Sequence, residues 1–533
     1  MILPALGLFA IIKAPAQTGA GLFDVNTIQQ LTFSIVEENW RTQLDSLHIN
    51  GGDYLVGDLT INGKVFKDCG LRYGDARTFA LGSARNSLHL KLDLIHQNQQ
   101  YEGYSTLELS SALRDPSLVR EVLGFEIARQ YFTASKANYA QLTVNGKDQG
   151  LFVNVEPIGN VFLLHNYGVD TGALFRCTPD VSRPAPAACL SGAFGSLQAD
   201  NGIRCYRENF ELLSGSGSTD LLDLTEVLNK EQGRVSEVLD VDAVLWMHAF
   251  NNITVNLSSY LGHNSQNYFL YQDSTGRFSP VIWDLNLAFG GYKNTGEGSD
   301  LDLKGLQQLD PQLHAMNKAK PLISQLLSNE TYNKIYFNHL RTILEEQFLS
   351  GRYEERAREL QALIQPAFAK DPNQYYSPEE FGKSLTETVG SLSKIPGLVE
   401  LMDRRANFLK KHPELAFFPP EIEPLPIPGR PGLSAKGVDR FNLQVKVNRF
   451  PKTVKVRYRF APDQPYLEAS LYDDGAHQDA AAGDHIYGVS IPALEGQTEI
   501  QYYFVSENAK AISFAPSAYL HAPFTATLEA LNK

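Results

Sequence analysis

Cysteine is scarce in this chain of 533 residues, with Cys69, Cys177, Cys189 and Cys205 as its four examples. None sits in a Cys-x-x-Cys pair, which argues against a zinc site. Long apolar runs are lacking as well. After the first dozen residues no run reaches the roughly 20 residues of a membrane-spanning helix. Basic charge is not in excess: 47 Lys and Arg face 60 Asp and Glu, a formal net charge of −13. With no basic stripe, a nucleic-acid footprint is missing. The commoner nucleotide loops, a Walker A or a Gly-x-Gly-x-x-Gly string, are absent too. What remains is an ordinary globular composition, 43% hydrophobic and 20% charged, which argues against disorder. The length predicts two or three domains.

The first residues are apolar from Ile2 to Ile12, followed by small residues at Ala14-Pro15-Ala16. This reads as a secretory signal over 1–16, although no Lys or Arg precedes the apolar run and Lys13 follows it; a buried N-terminal strand is the alternative. Export would favour one disulfide among Cys177, Cys189 and Cys205, which share a Pro/Gly/Ser-rich stretch. Buried thiols are the other reading.

From Thr27 to Asp93 the pattern is strand-rich. Tyr54 to Ile61 ends in Asn62-Gly63, a two-residue hairpin signal that recurs at Asn145-Gly146. Ser87 to Asp93 alternates, leucines on one face and His89 and Lys91 on the other. Asp115 and Pro116 predict a helix start, with apolar spacing through Ile127. Asp240 to Ile253 reads as a buried helix. Tyr268–Tyr271 and Pro280–Trp283 read as strands about a turn at Ser274-Thr275-Gly276. From Leu322 to Phe417 the pattern is helical, with Asn329 as a cap and Pro366 as a stop. Prolines at 419, 420, 424, 426, 428 and 431 predict an extended spacer. Beyond it everything reads as strand, enough for one small β-sandwich.

The sharpest local string is Ile282-Trp283-Asp284-Leu285-Asn286 through Gly290-Gly291. An Asp at the end of an apolar strand can hold a hard cation such as Mg²⁺, and kinases hold the metal that bridges nucleotide phosphates in a comparable way. A solvated Asx turn is the plainer alternative.

Five strings in order, from Cys69-Gly70-Leu71-Arg72-Tyr73-Gly74 and Asn86–Asp93 through Leu118–Arg129 and Val144–Glu156 to Gln266–Tyr271 with Trp283–Asn286, resemble the CotH (spore-coat protein H) kinase family. The resemblance implies an α+β chain with a divergent bilobal protein-kinase-like fold over 27–416. A Pro-rich linker over 417–435 and an immunoglobulin-like β-sandwich over 436–533 would follow. It implies ATP with Mg²⁺ or Mn²⁺, and Ser phosphorylation of an extracellular or surface protein. Carried over, Asp284 would be the metal-binding Asp, with Asn267 a second polar group and Asn286 the third metal position. Arg72 and Lys91 are candidate phosphate ligands. Glu121 would orient one of them, and Glu156 would lie near the adenine edge. Two departures stand out. Ser258 occupies the place of the Asp suited to take the substrate proton, and a Ser hydroxyl is no base near neutral pH without an activating partner. Asn286 replaces a carboxylate at the metal. His263 is a substitute base by sequence proximity alone. A pseudokinase-like scaffold or adhesion protein of the cell surface is therefore the alternative function.

In the last domain Asp473, Asp474, Asp479 and Asp484 crowd one loop and could ligate Ca²⁺ outside the cell. This would suit a Ca²⁺-dependent carbohydrate or matrix binder. A hairpin whose carboxylates cap its own backbone is the plainer reading.

Overall fold

Two Asn-Gly dipeptides turn the chain at the expected places. In the computed structural model, which describes residues 21–74, 79–391, 393–426, 440–462, 464–479, 481–494 and 496–527, Asn62 and Gly63 take φ of 49° and 87°, and Asn145 and Gly146 take 49° and 73°. Positive φ at both central residues suits the right-handed twist of the flanking strands. The signal expected at 1–16, and the linker from residue 427 on, lie outside the described residues.

The first hairpin joins β2 (Leu55–Ile61) to β3 (Lys64–Tyr73), and the second joins β6 (Ala137–Val144) to β7 (Lys147–Val155). With β1 (Ile28–Ser34), β4 (Leu88–Lys91) and β5 (Thr106–Ser110) they close a barrel in the order β1-β2-β3-β4-β5-β7-β6. Closure comes from parallel pairing of β1 with β6, Leu31 opposite Leu142. Alternating residues fill it: Leu31, Phe33, Leu59, Ile61, Leu71, Leu90, Leu107 and Leu142 form one buried cluster.

The helix expected from Asp115 starts later, at Arg120, and runs to Ala128. Leu118 lies at φ 55°, which no α-helix tolerates, so the chain turns first. Asp115 still holds the start: its Oδ2 accepts from Arg120 N at 2.9 Å and its Oδ1 from Ser117 N at 2.9 Å. The helix is seated by Gly124, where an added Cβ would stand 3.0 Å from Leu285 Cδ1.

A second sheet has the order β11-β10-β8-β9, from β8 (Ala173–Cys177), β9 (Phe210–Ser214), β10 (Tyr268–Gln272) and β11 (Phe278–Ile282). The helix Val241–Ile253 packs beside it, and Asp240 caps it through Ala243 N at 3.1 Å. Helices Glu330–Ile343, Arg352–Phe368 and Leu398–Leu409 complete this part, and Asn329 caps the first as expected. Pro366 does not stop its helix, which continues to Phe368; the ring removes one N–H from the ladder, and the buried Ile364 and Phe368 on either side hold the last turn in place. The expected disulfide joins Cys189 to Cys205. Cys177 lies outside it, buried, its sulfur 3.5 Å from Ser265 O.

Part of the Pro-rich stretch is a strand, not a spacer: β12 (Glu421–Pro424) pairs with β13 (Arg440–Asn448) at a sheet edge, where a missing N–H is harmless. β13 pairs on its other side with β16 (Ile486–Pro492). A second sheet holds β14 (Thr453–Arg459), β15 (Leu467–Ser470), β17 (Glu499–Glu507), β18 (Ile512–Ala515) and β19 (Phe524–Thr527). Leu443, Val445 and Val447 of β13 share one core with Val454, Val456, Ile500, Tyr502 and Phe504. The architecture is mixed α+β. The C-terminal part does not hang apart, because Tyr503, Val505, Ile512 and Tyr519 belong to the main helical core. Tyr519 donates to Asp242 Oδ2 at 2.6 Å, and Lys334 pairs with Glu507 at 2.6 Å.

Candidate functional site

A cavity of about 720 Å³ opens between the barrel and the second sheet. The barrel contributes Arg72 and Tyr73 from β3, His89 from β4, Glu108 and Ser110 from β5, and Val155 from β7; the other side contributes Arg176, Asp180, Trp283, Asp284 and Asn286. Glu121 reaches it from the helix Arg120–Ala128.

Asp284 follows the apolar β11 and sits at φ 54°. Side-chain-bearing residues rarely adopt this left-handed backbone, and strain of this kind gathers at functional sites. It turns the chain into the short helix Leu285–Leu287, on which Gly124 packs, and so sets Glu121 beside Asp284. Glu121 is buried at 2% exposure. Burial, and next the Asp284 carboxylate, push its carboxyl up to about 8, against hydrogen bonds from Ser110 and the Leu285 N–H. Its Oε2 has no hydrogen-bond partner among the described residues. An orphaned carboxylate oxygen beside a second carboxylate and an amide is a hard-oxygen donor set, suited to Mg²⁺ or Mn²⁺.

Asn267, at φ 61°, donates to Asp284 Oδ2 at 3.2 Å and to Ser258 O and Oγ at 2.8 and 3.1 Å. Ser258, Asn267 and Asp284 therefore form one chain of contacts. Asn267 and Ser258 lie behind the cavity wall, each 2% exposed. His263 is exposed and lines no part of the cavity.

The opposite charge comes from a row across three strands. The register places Arg72 opposite His89 and His89 opposite Glu108. His89 Nδ1 lies 2.6 Å from Glu108 Oε1; a carboxylate only accepts, so Nδ1 carries the proton and Nε2 is the nitrogen left to a ligand. The Arg72 guanidinium stacks 5.0 Å over Tyr54, whose ring lies 5.8 Å from His89.

Of the residues singled out from sequence, Arg72, Glu121, Asp284 and Asn286 meet at the cavity, and Asn267 and Ser258 stand directly behind Asp284. Lys91 and Glu156 do not line it. Lys91 is two register positions away from His89, opposite Gly70 and Thr106. Glu156 is buried in the barrel's support, accepting from Tyr104 Oη at 2.5 Å and Lys136 N at 2.9 Å. Sequence reasoning missed His89, Glu108, Arg176 and Asp180. For His89 the signal was present as a polar position in an alternating strand, but what it faces follows from strand register.

The acidic loop of the C-terminal part is capped by its own carboxylates. Asp473 accepts from Gly483 N and His485 N, Asp474 from Ala476 N, Asp479 from Gly475 N and Asp484 from Ile486 N. Among the described residues no helix is long and apolar enough to cross a membrane.

Residues 78–409 match the family model described as CotH kinase protein. The chain belongs to this family. Inner spore coat protein H of Bacillus subtilis (strain 168) is similar, 23% identical over 341 residues, covering 62% of this chain and 83% of that protein. The inner spore coat protein H-like protein of the same organism is 24% identical over 315 residues, covering 58% and 81%. The family match begins after Cys69–Gly74 and takes in the other strings that carry the resemblance.

Proposed function

We propose that this chain is an atypical kinase-like protein that binds ATP with Mg²⁺ or Mn²⁺ in the cavity between barrel and sheet. The observation that carries this reading is the division of charge in one cavity of about 720 Å³. Asp284, Asn286 and Glu121 offer oxygen donors to a cation, while Arg72, and His89 as the imidazolium paired with Glu108, offer N–H donors to phosphate oxygens. A cavity of this size holds a nucleotide. The barrel on one side and the second sheet with its helices on the other support a bilobal kinase-like arrangement.

A divalent ion there would neutralise phosphate charge. Asp284 would hold it, kept in place by Asn267. Arg72 and His89 would orient the phosphates, His89 fixed in turn by Glu108. The remaining need is a group to take the proton of a substrate Ser. Ser258 is a buried hydroxyl engaged by Asn267, so transfer should be slow. The same observation favours the second reading, a nucleotide-binding scaffold at the cell surface with little or no turnover.

The disulfide Cys189–Cys205 supports export, with an extracellular or surface protein as partner. The two C-terminal sheets around one core support an immunoglobulin-like sandwich, and a Ca²⁺ titration followed by its melting tests the acidic loop as a cation site. The decisive experiment is thermal shift with ATP, with and without Mg²⁺ or Mn²⁺. Binding raises the melting temperature by mass action. Asp284→Ala should abolish the shift while leaving a cooperative transition; a shift that survives the substitution overturns the assignment.

A further inference from the structure

The segment between the helix Val241–Ile253 and β10 carries Ser258 and delivers Asn267 to Asp284. It is folded against local preference: Val255, Ser265 and Asn267 take φ of 49°, 46° and 61°. A left-handed backbone is unfavourable for any residue with a Cβ and most for a β-branched one. Such a shape persists only where its surroundings over-determine it.

Here the surroundings centre on one ammonium group. Lys320, the residue before helix Pro321–Leu327, is 6% exposed. Its Nζ donates to Gly262 O and Ser265 Oγ, each at 2.5 Å, and lies 3.4 Å from both Tyr260 O and His263 O. The Tyr260 ring centroid is 5.7 Å away. Among the described residues no carboxylate forms an ion pair with it. Its charge is met by carbonyl and hydroxyl oxygens drawn from one short stretch of chain. A buried ammonium is costly unless it is fully coordinated, and packing alone would be served by Met. Cys177 of β8 holds the far end of the segment, its carbonyl accepting from Asn267 N at 3.0 Å, while the anchors beside Lys320 do not reach as far. His314 Nε2 holds Leu261 O at 3.0 Å, and Tyr260 Oη accepts from Leu322 N at 3.1 Å. Lys320 alone among these three grips Ser265, two residues before Asn267.

We propose that Lys320 is a positioning residue for the Asn267–Asp284 pair, its ammonium gathering the carbonyls of Tyr260, Gly262 and His263 and the Ser265 hydroxyl so that Asn267 is delivered in place. The functional part of the proposal rests on reading the cavity as a metal–nucleotide site. Burial works against the ammonium charge. Burial pushes the amine down to about 7, with Glu297 acting the other way. The other groups facing it are His314, held below the usual imidazole range by burial, and His263, which offers its carbonyl and turns its ring to solvent.

The test compares wild type with Lys320→Met, which keeps length and loses the donors. Hydrogen exchange of the amides from Leu261 to Asn267 is measured without ligand, and Mg·ATP affinity by calorimetry. The expected result is exchange faster by about tenfold or more in that stretch, with β10, β11 and the barrel unchanged, and affinity weaker by about tenfold or more. For Lys320→Ala, methylammonium should restore affinity where equal sodium does not. Unchanged exchange and affinity in Lys320→Met overturn the proposal. If wild type itself binds no Mg·ATP, the nucleotide reading falls while the exchange arm still decides the role of Lys320. If the variants do not fold, wild type decides. Protection of Leu261–Asn267, corrected for intrinsic rates, must fall as pH rises through the titration of the buried amine while β10 and β11 hold; protection that stays constant over the whole alkaline range in which the protein remains folded overturns the proposal.

Discussion

The Glu121 carboxyl offers a quantitative test of how the cavity is built. Its pKa is pushed up to about 8 from 4.5, first by burial and then by the Asp284 carboxylate, with Asp115 adding. Below 4.5 both folded and unfolded chains hold this proton, and Glu121 makes stability independent of pH. Between 4.5 and about 8 the folded chain keeps a proton that the unfolded chain has lost, so stability falls as pH rises through this window. The slope cannot exceed about 1.4 kcal/mol per pH unit for one group, which limits the loss between pH 5 and pH 8 to about 4 kcal/mol. Glu121→Gln removes the titration and keeps the shape. At pH 5 the variant should melt with wild type. At pH 8 it should melt higher, by about 1 °C for each kcal/mol relieved in a chain of this length. Asp284→Asn should give a smaller effect of the same sign, because it removes the second cause and leaves the first. The assay is thermal denaturation in matched buffers across this range, without divalent ions. Parallel pH profiles for wild type and Glu121→Gln would refute the geometry that sets these two carboxyls together.

Ser258→Asp should raise autophosphorylation, followed by intact mass, by about 10²–10⁴-fold; no turnover in either form, with nucleotide binding intact, would establish the scaffold reading. Replacing Cys189 and Cys205 by Ser should cost about 3 kcal/mol, the entropy of the loop they close, and should open the stretch between them to limited proteolysis; equal protease resistance would show the bridge to be dispensable. Tyr519→Phe leaves Asp242 Oδ2 and Trp246 Nε1 without the hydroxyl that they share at 2.6 and 3.3 Å. Urea denaturation should show a loss of about 1–3 kcal/mol, and a change near zero would mean that this hydroxyl adds nothing to the docking of the C-terminal part.

Local chemistry was legible wherever a residue type meets a local need. Asn62-Gly63 and Asn145-Gly146 specify tight turns because few residues accept positive φ. Asp240 and Asn329 specify helix starts because orphan N–H groups need a nearby acceptor. The strand before Asp284 and the family strings were readable for the same reason, and they located the Asp284 and Asn267 positions. Pro366 and the start of the helix at Arg120 were misjudged because the packing of Ile364 and Phe368, and the backbone at Leu118, outweigh residue preference. What lies opposite what was decided by tertiary structure alone. His89 became a cavity residue through its register with Arg72 and Glu108, while Lys91, two positions along the same strand, was carried out of reach. Glu156 was turned to Tyr104 by barrel closure. Lys320 has no local signal at all, since its ammonium is coordinated by a loop some 55–60 residues earlier in the chain. Short-range preferences act through neighbours in sequence, whereas a site assembled from a barrel, a sheet and a distant helix exists only once long-range pairing has set their distances.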